Sequence, residues 1–311
     1  MGSSSGLSVL DPALVERIAS DLRSEASLVE KDWHIVRALG VIEVVDRAGM
    51  TPAFSGGTSL SKGWEVIKRF SEDIDFKVGE PAGSSASRAR RERTAYRERV
   101  LQALAASDFE IIGEPYAGNA SRFFSADVAY GAQFGGGQGL RPHIRVEMSF
   151  RAPALAPVER PIRSLIAAAQ REPPEVASFP CVEPVETAAD KLSALAWRVR
   201  ARDRSRSDDD PTIVRHLHDL AALEQHAASA PRFPELVLAA AAADVERGVG
   251  SAGDAAADFA EMLQRLETDP LWAREYEDFV RQVSFGGPGE GIHFADALAA
   301  CARLVKCGLR E

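Results

Sequence analysis

Two aspartates stand two residues apart in the run Ser71-Glu72-Asp73-Ile74-Asp75-Phe76-Lys77-Val78. The run alternates polar and apolar residues, as a half-buried strand does. Ile74, Phe76 and Val78 point one way, and Asp73, Asp75 and Lys77 the other. Two carboxylates on one face of a strand repel each other. A divalent cation relieves that repulsion, because magnesium takes hard oxygen ligands and also accepts substrate phosphates. Upstream lies Phe54-Ser55-Gly56-Gly57-Thr58-Ser59-Leu60-Ser61-Lys62. Gly56 and Gly57 let a ligand approach the backbone closely, and Thr58 or Ser59 can cap the following helix, whose free N–H groups favour phosphate. Each half also has a plainer reading, a turn before a helix and a charged guard against edge pairing. In this order, one short helix apart, the two halves imply a site for a nucleoside triphosphate and one or two magnesium ions.

Three further segments carry groups of the same chemistry. The run from His143 to Phe150 alternates again, with Ile144, Val146, Met148 and Phe150 against Arg145, Glu147 and Ser149. Its polar face has one central carboxylate, Glu147, which a neighbour such as Arg145 could also neutralise. The helix predicted over 187–201 sets Lys191 and Arg198 seven residues apart on one edge. Two aligned cations either hold an anion between them or snorkel around the apolar stripe. The next helix starts at Asp210-Pro211-Thr212, with Asp210 suited to the N-cap and Pro211 to the first turn. Asp219 lies one turn from Arg215 and His216. An Arg215–Asp219 pair is the simple account of it, in the weaker orientation with the cation first.

These segments resemble the DNA polymerase β-type nucleotidyltransferase superfamily and, more narrowly, the AbiEii/AbiGii toxin family of bacterial toxin–antitoxin and phage-defence systems. Glu30-Lys31-Asp32-Trp33 resembles an early segment of that family. The glycine turn and the DxD strand resemble its first two motifs, Asp190-Lys191-Leu192-Ser193-Ala194-Leu195 with Arg198 its third, and Arg215-His216-Leu217-His218-Asp219-Leu220 its fourth. His216 departs from the pattern, where family members often carry aspartate. The likeness runs from about residue 28 to about residue 225. It implies an α/β (α+β) fold: a small mixed-sheet nucleotidyltransferase core followed by a helical domain, with the site in the cleft between.

The resemblance also implies roles. Asp73 and Asp75 hold Mg²⁺ or Mn²⁺ in two-metal fashion, and Glu147 is the third acid on a neighbouring strand, with Asp127 as the fallback. Gly56, Gly57, Thr58, Ser59, Lys62, Ser71 and Arg198 line the nucleotide, Lys191 helps hold the phosphates, and Asp219 orients Lys191 or the nucleotide. The implied reaction moves a nucleoside monophosphate from an NTP to an RNA acceptor, the 3′ end of tRNA foremost, with a cognate antitoxin as partner. Nucleotidylation of a protein hydroxyl is a second reading. A catalytically silent fold that binds RNA or a protein is a third.

The elements that must position these groups are legible in outline. Helices are predicted over 11–22, 28–48 and 88–106, with Trp33, Val36, Leu39 and Val44 serving the core of the second. Strands are predicted just before Gly56 and over 73–78, 109–112, 123–130 and 143–150. Residues 131–139 form a glycine-rich mobile hairpin tip, and 285–291 a glycine–proline hinge. The expected organisation is an N-terminal helical segment (1–27), the core (28–160), a proline-rich connector with one short helix (161–184) and a helical domain (185–311).

Composition narrows the classes. The 311 residues suit one large domain or two modest ones. The net charge of −9 opposes non-specific nucleic-acid binding, so any RNA contact must be local. Two arginine-dense runs, 88–99 and 198–206, offer such contacts or a solvated surface. No uninterrupted apolar run approaches the roughly twenty residues of a membrane span. The small polar start, Met1 to Gly6, lacks the features of a signal peptide. Three cysteines without a CxxC spacing argue against a disulfide framework or zinc site and for a reducing cytoplasm.

Overall fold

A computed structural model of the chain describes residues 10–135, 141–250, 254–283 and 291–310. The polar start, residues 136–139 of the tip expected over 131–139 and residues 285–290 of the hinge expected over 285–291 fall outside those residues.

Seven strands form one mixed sheet: β1 (Thr51–Ser55), β2 (Asp73–Gly79), β3 (Glu110–Gly118), β4 (Phe123–Ala129), β5 (Ile144–Ser149), β6 (Val158–Ile162) and β7 (Val176–Cys181). Their order is β3-β4-β5-β2-β1-β7-β6. The central strand β2 runs antiparallel to β1 and parallel to β5. Its alternation is realised as the sequence implies. Ile74, Phe76 and Val78 are buried in one core with Val146 and Met148 of β5. Helices α2 (Ala26–Glu43) and α4 (Ala86–Ala105) cover that face, contributing Ile35, Leu39, Tyr96 and Val100.

The opposite, polar face of β2 meets the helical layer. Lys77 is buried there and pairs with Glu186 (2.6 Å) and Asp190 of α6 (Pro184–Ala201). Glu186 also accepts from the backbone N–H groups of Ala154 and Leu155, at 3.0 Å each. Helices α6, α7 (Arg215–Ala228), α8 (Phe233–Glu246), α9 (Ala255–Thr268), α10 (Leu271–Val283) and α11 (Phe294–Gly308) share a second core around Leu192, Leu217, Phe233, Met262 and Leu304. The remaining helices are α1 (Pro12–Asp21), α3 (Gly56–Lys62) and α5 (Leu165–Gln170). Asp210 caps a short 3-10 turn, Pro211–Val214, by accepting from Thr212 N, and α7 continues from it.

Several expectations need correction. The end of the expected core and the stretch read as a connector supply two further strands, β6 and β7, which extend the sheet beyond β1. Pro161 and Pro180 hid them, since proline removes a ladder donor and weakens a strand reading. Pro161 is tolerated because β6 is an edge, and Pro180 lies opposite Glu159 of that edge. Strand β3 runs to Gly118, past a register shift between Ile112 and Tyr116. Helix α2 ends at Glu43, so Val44 is 76% exposed rather than in the core, and Trp33 is only half-buried. The described start of the 131–139 loop is pinned: Gln133 N and Phe134 N donate to the Glu30 carboxylate at 2.6 and 3.1 Å.

Candidate active site

Strand register builds the acidic half of the site. Across the parallel pair, Asp75 stands opposite Glu147, and Asp73 opposite Arg145. All three carboxylates lie half-buried on the same polar face. Burial and the neighbouring acids Asp73 and Glu147 push the Asp75 carboxyl well above its ordinary value, against the pull of Lys191 and Arg215. Burial and Asp73 raise Glu147 as well. Asp127, the fallback, sits one strand further out on β4, where Arg145 pairs with it at 2.8 Å and His143 lies 3.3 Å away. Arg145 therefore gives its hydrogen bonds to Asp127 and acts on Glu147 only through its charge.

The glycine turn lies directly against these acids. Gly56 has φ +72°, and a Cβ there would fall 2.1 Å from Asp75 Oδ2. Only glycine permits both the backbone conformation and the approach. A Cβ at Gly57 would meet Arg69 Nη2 and Ser71 Oγ, each at 2.8 Å. Thr58 lies buried, its hydroxyl donating to the Asp73 carbonyl and standing 3.0 Å from Ser71 Oγ. It locks the start of α3 onto β2. Ser59 is buried, and its hydroxyl has no hydrogen-bond partner among the described residues. Lys62 points away from the acids and pairs with Asp32 of α2, which also accepts from Leu165 N at 2.7 Å. What this turn offers a phosphate is backbone N–H groups, since Ser55 makes no side-chain cap.

The basic half comes from the helical layer. Lys191 Nζ lies 2.8 Å from Asp219 Oδ2. Asp219 is fully buried and also accepts a two-pronged contact from Arg69, Nε to Oδ1 at 2.7 Å and Nη2 to Oδ2 at 2.6 Å. Despite burial, the two cations hold Asp219 well below the usual carboxylate range. The trio leaves one positive charge in excess beside Gly57. The simple Arg215–Asp219 pair does not form; Arg215 turns back to Asp210 at 3.0 Å. Arg198 stacks on Trp197, 4.6 Å from the ring centroid, and acts electrostatically on Glu147.

Two participants escaped the sequence reading, Arg69 and Arg141. Arg69 precedes the DxD strand in a segment without regular structure, and no local signal marks it. Arg141 Nη2 lies 2.8 Å from Asp73 Oδ1 and its Nε 3.0 Å from Glu72 Oε1. Its carbonyl accepts from Lys31 at 2.8 Å, and Lys31 pairs with Glu72 in turn. The Glu30-Lys31-Asp32 segment is thus scaffolding: each of its charges fastens a part of the site's surroundings.

The donor set suits a divalent cation in kind. Three hard carboxylates crowd one face, and two of them are raised by burial and by mutual repulsion, the second of which a dication would relieve. Among the described residues no three ligating side chains already converge on one point, and Arg141 supplies positive charge at Asp73. A separate cavity of about 450 Å³, between α6, α8 and α9, is lined by none of these residues.

The arginine run 198–206 is not a free basic surface. Arg202 pairs with Asp209 and Glu275, and Arg204 with Asp269 and Glu275, both flanking the Trp272 ring. In the other run, Arg93 is buried against Glu80 at 2.7 Å, while Arg90 and Arg91 are exposed.

A mixed sheet presenting paired carboxylates beneath a glycine turn, closed by helices that bring cations, is the architecture of a nucleotidyltransferase. Residues 46–300 match the family described as nucleotidyl transferase AbiEii toxin, type IV toxin–antitoxin system, and the chain belongs to that family. Among solved structures, it resembles MenT4, nucleotidyltransferase toxin Rv2826c from Mycobacterium tuberculosis H37Rv, with a TM-score of 0.52 and 20% identity over 97% of this chain and 100% of that one. At that identity the likeness is one of fold. No curated protein matches the sequence. Among the described residues no helix is long and apolar enough to cross a membrane.

Proposed function

We propose that this chain is a metal-dependent nucleotidyltransferase that moves a nucleoside monophosphate from an NTP to a hydroxyl of an RNA acceptor, the 3′ end of tRNA foremost. A separately encoded antitoxin is its counterpart. One observation carries the reading: Asp75 stands opposite Glu147 in the β2–β5 register, directly below a Gly56 backbone that no side chain screens.

Asp73, Asp75 and Glu147 would hold Mg²⁺ or Mn²⁺, which when bound neutralises phosphate charge and polarises the attacking oxygen. Glu147, opposite Asp75 on the same polar face, is placed to help take the acceptor hydroxyl's proton. The backbone at Gly56 and Gly57, Lys191 Nζ and the Arg69 guanidinium together favour the triphosphate. Asp219 positions the two cations and touches no substrate. Preorganised charge and orientation would supply most of the rate enhancement. The outward arginines Arg90 and Arg91 favour a local RNA contact on an otherwise acidic molecule.

The test incubates the protein with each labelled NTP, magnesium and total RNA, and separately with a lysate stripped of RNA. Label in RNA is the expected outcome. Label only in protein would move the acceptor to a protein hydroxyl. No label, with RNA retained on a filter, would make the fold a silent binder. Asp75→Ala should lower the rate by about a thousandfold or more; a rate like that of the unaltered chain would remove the proposed metal site.

A further inference from the structure

Helix α7 carries a histidine that the chemistry above leaves unused. Both ring nitrogens of His216, Nδ1 and Nε2, are buried without a hydrogen-bond partner. Arg198 Nε, on the adjoining helix α6, is in the same condition. Buried polar groups are ordinarily paired, so an unpaired set in one cleft marks partners supplied from outside.

The charges around His216 say what kind of partner. Lys191 and Arg198 of α6 and Arg215 of its own helix act on it, opposed by Asp219; Asp210 pairs with Arg215, and Asp210, Glu147 and Asp244 act on Arg198. Asp219 is already engaged by Arg69 and Lys191. Burial and the three cations hold the free imidazole neutral, well below its ordinary value. The same cations act on the acids across the cleft, Lys191 and Arg215 on Asp75 and Arg198 on Glu147. His216 thus belongs to a basic wall that faces the carboxylates of the sheet. The ligand for such a wall is an anion with many acceptors and no donors. A neutral imidazole offers it one donor; a protonated one offers two. A polyphosphate arriving among Lys191, Arg198 and Arg215 cancels the repulsion that opposes protonation.

We propose that His216 is a proton-taking contact for the polyphosphate of the substrate: on binding, the ring gains a proton from solvent and donates to phosphate oxygens beside Arg198 Nε. The proposal rests on the reading that the cleft takes an NTP, and it identifies a step of substrate recognition rather than of bond making. His216 is a binding residue here and moves no proton to the reacting atoms.

Calorimetric titration of the full chain with tripolyphosphate and with a non-hydrolysable NTP, near pH 7 in buffers of different ionisation enthalpy, counts the protons taken up per anion. The unaltered chain should take up about one proton more than His216→Asn. In a sample with carbon-labelled histidine, the His216 ring resonance should move from its neutral to its charged position at saturation, while that of the exposed His226 stays put. Equal uptake in both chains, or an unmoved His216 resonance in the saturated protein, overturns the proposal. So does a failure to bind tripolyphosphate at all. Should His216→Asn not fold, the ring resonance in the unaltered chain decides. Proton-linked tripolyphosphate binding in a protein that transfers no nucleotide would sink the catalytic reading and leave this one standing.

Discussion

Asp219 bears one negative charge and holds two buried cations, Arg69 and Lys191. Removing it leaves both uncompensated, and breaking a buried pair in this way typically costs about 3–5 kcal/mol. Asp219→Ala should therefore lower the unfolding free energy by roughly that amount. Adding Arg69→Met should recover part of the loss without restoring transfer, because one fewer cation is stranded. A urea titration of the three proteins checks this; an Asp219→Ala chain as stable as the original would show that the network is solvated. Gly56 is equally constrained. Gly56→Ala forces a left-handed residue and pushes a methyl group into Asp75. It should cost about 1–3 kcal/mol and depress transfer as severely as Asp75→Ala. Full activity in the alanine variant would mean that the turn and the acid are further apart than described. At this scale the alternation that puts Asp73 and Asp75 on one face, and the glycine turn beside them, were legible in the sequence, because alternation and backbone freedom are local properties. It misassigned Lys62, whose charge goes to Asp32. It gave no hint of Arg69, because a guanidinium's partner depends on where the chain returns.

Lys77 shows how elements hold one another. It lies on the polar face of β2 and reaches Glu186 and Asp190 of α6, the helix that also carries Lys191 and Arg198. The pair fixes the basic wall against the acidic one. Lys77→Met should leave Glu186 without its cation and Asp190 with Arg151 alone, cost about 2–4 kcal/mol, and raise KM for NTP more than it lowers kcat, since phosphate placement is disturbed before the carboxylates are. Steady-state kinetics beside a melting curve would separate the two effects; an unchanged KM would detach α6 from substrate binding. Strands β2 and β5 were legible from alternation alone. Strands β6 and β7 were not, because Pro161 and Pro180 imitate a linker while the edge position and the partner strand absorb the missing donors.

Across the whole molecule, acid sensitivity has an identifiable source in the sheet-side layer. His34 of α2 is buried, stacked on Tyr130 with ring centroids 4.3 Å apart, and burial together with Arg37 lowers it to about 4. A depressed histidine contributes stability that is fully present above its ordinary 6.5 and is lost as pH falls through its folded value. Between pH 6.5 and about 4 the protein should lose on the order of 2 kcal/mol from this residue. His34→Phe, which keeps a ring against Tyr130, should show a shallower decline of the urea midpoint over that window. Parallel declines in the two proteins would place the acid-labile group elsewhere. The same scale explains how a chain of net charge −9 can keep a cationic cleft. Arg202 and Arg204 are consumed by acids around Trp272, while Lys191, Arg198 and Arg215 converge on one side of the site.

By itself the sequence determined the polar face that carries Asp73 and Asp75 and the glycine turn that precedes it, since strand period and backbone freedom operate within a few residues. It determined the family as well, through those motifs. Only the tertiary structure decided that Glu147 rather than Asp127 stands beside Asp75, that Asp219 answers an arginine 150 residues away, and that Arg141 sits on Asp73. Strand order and helix docking choose those neighbours, and the energy of a buried charge depends on what surrounds it in space, which no local pattern encodes.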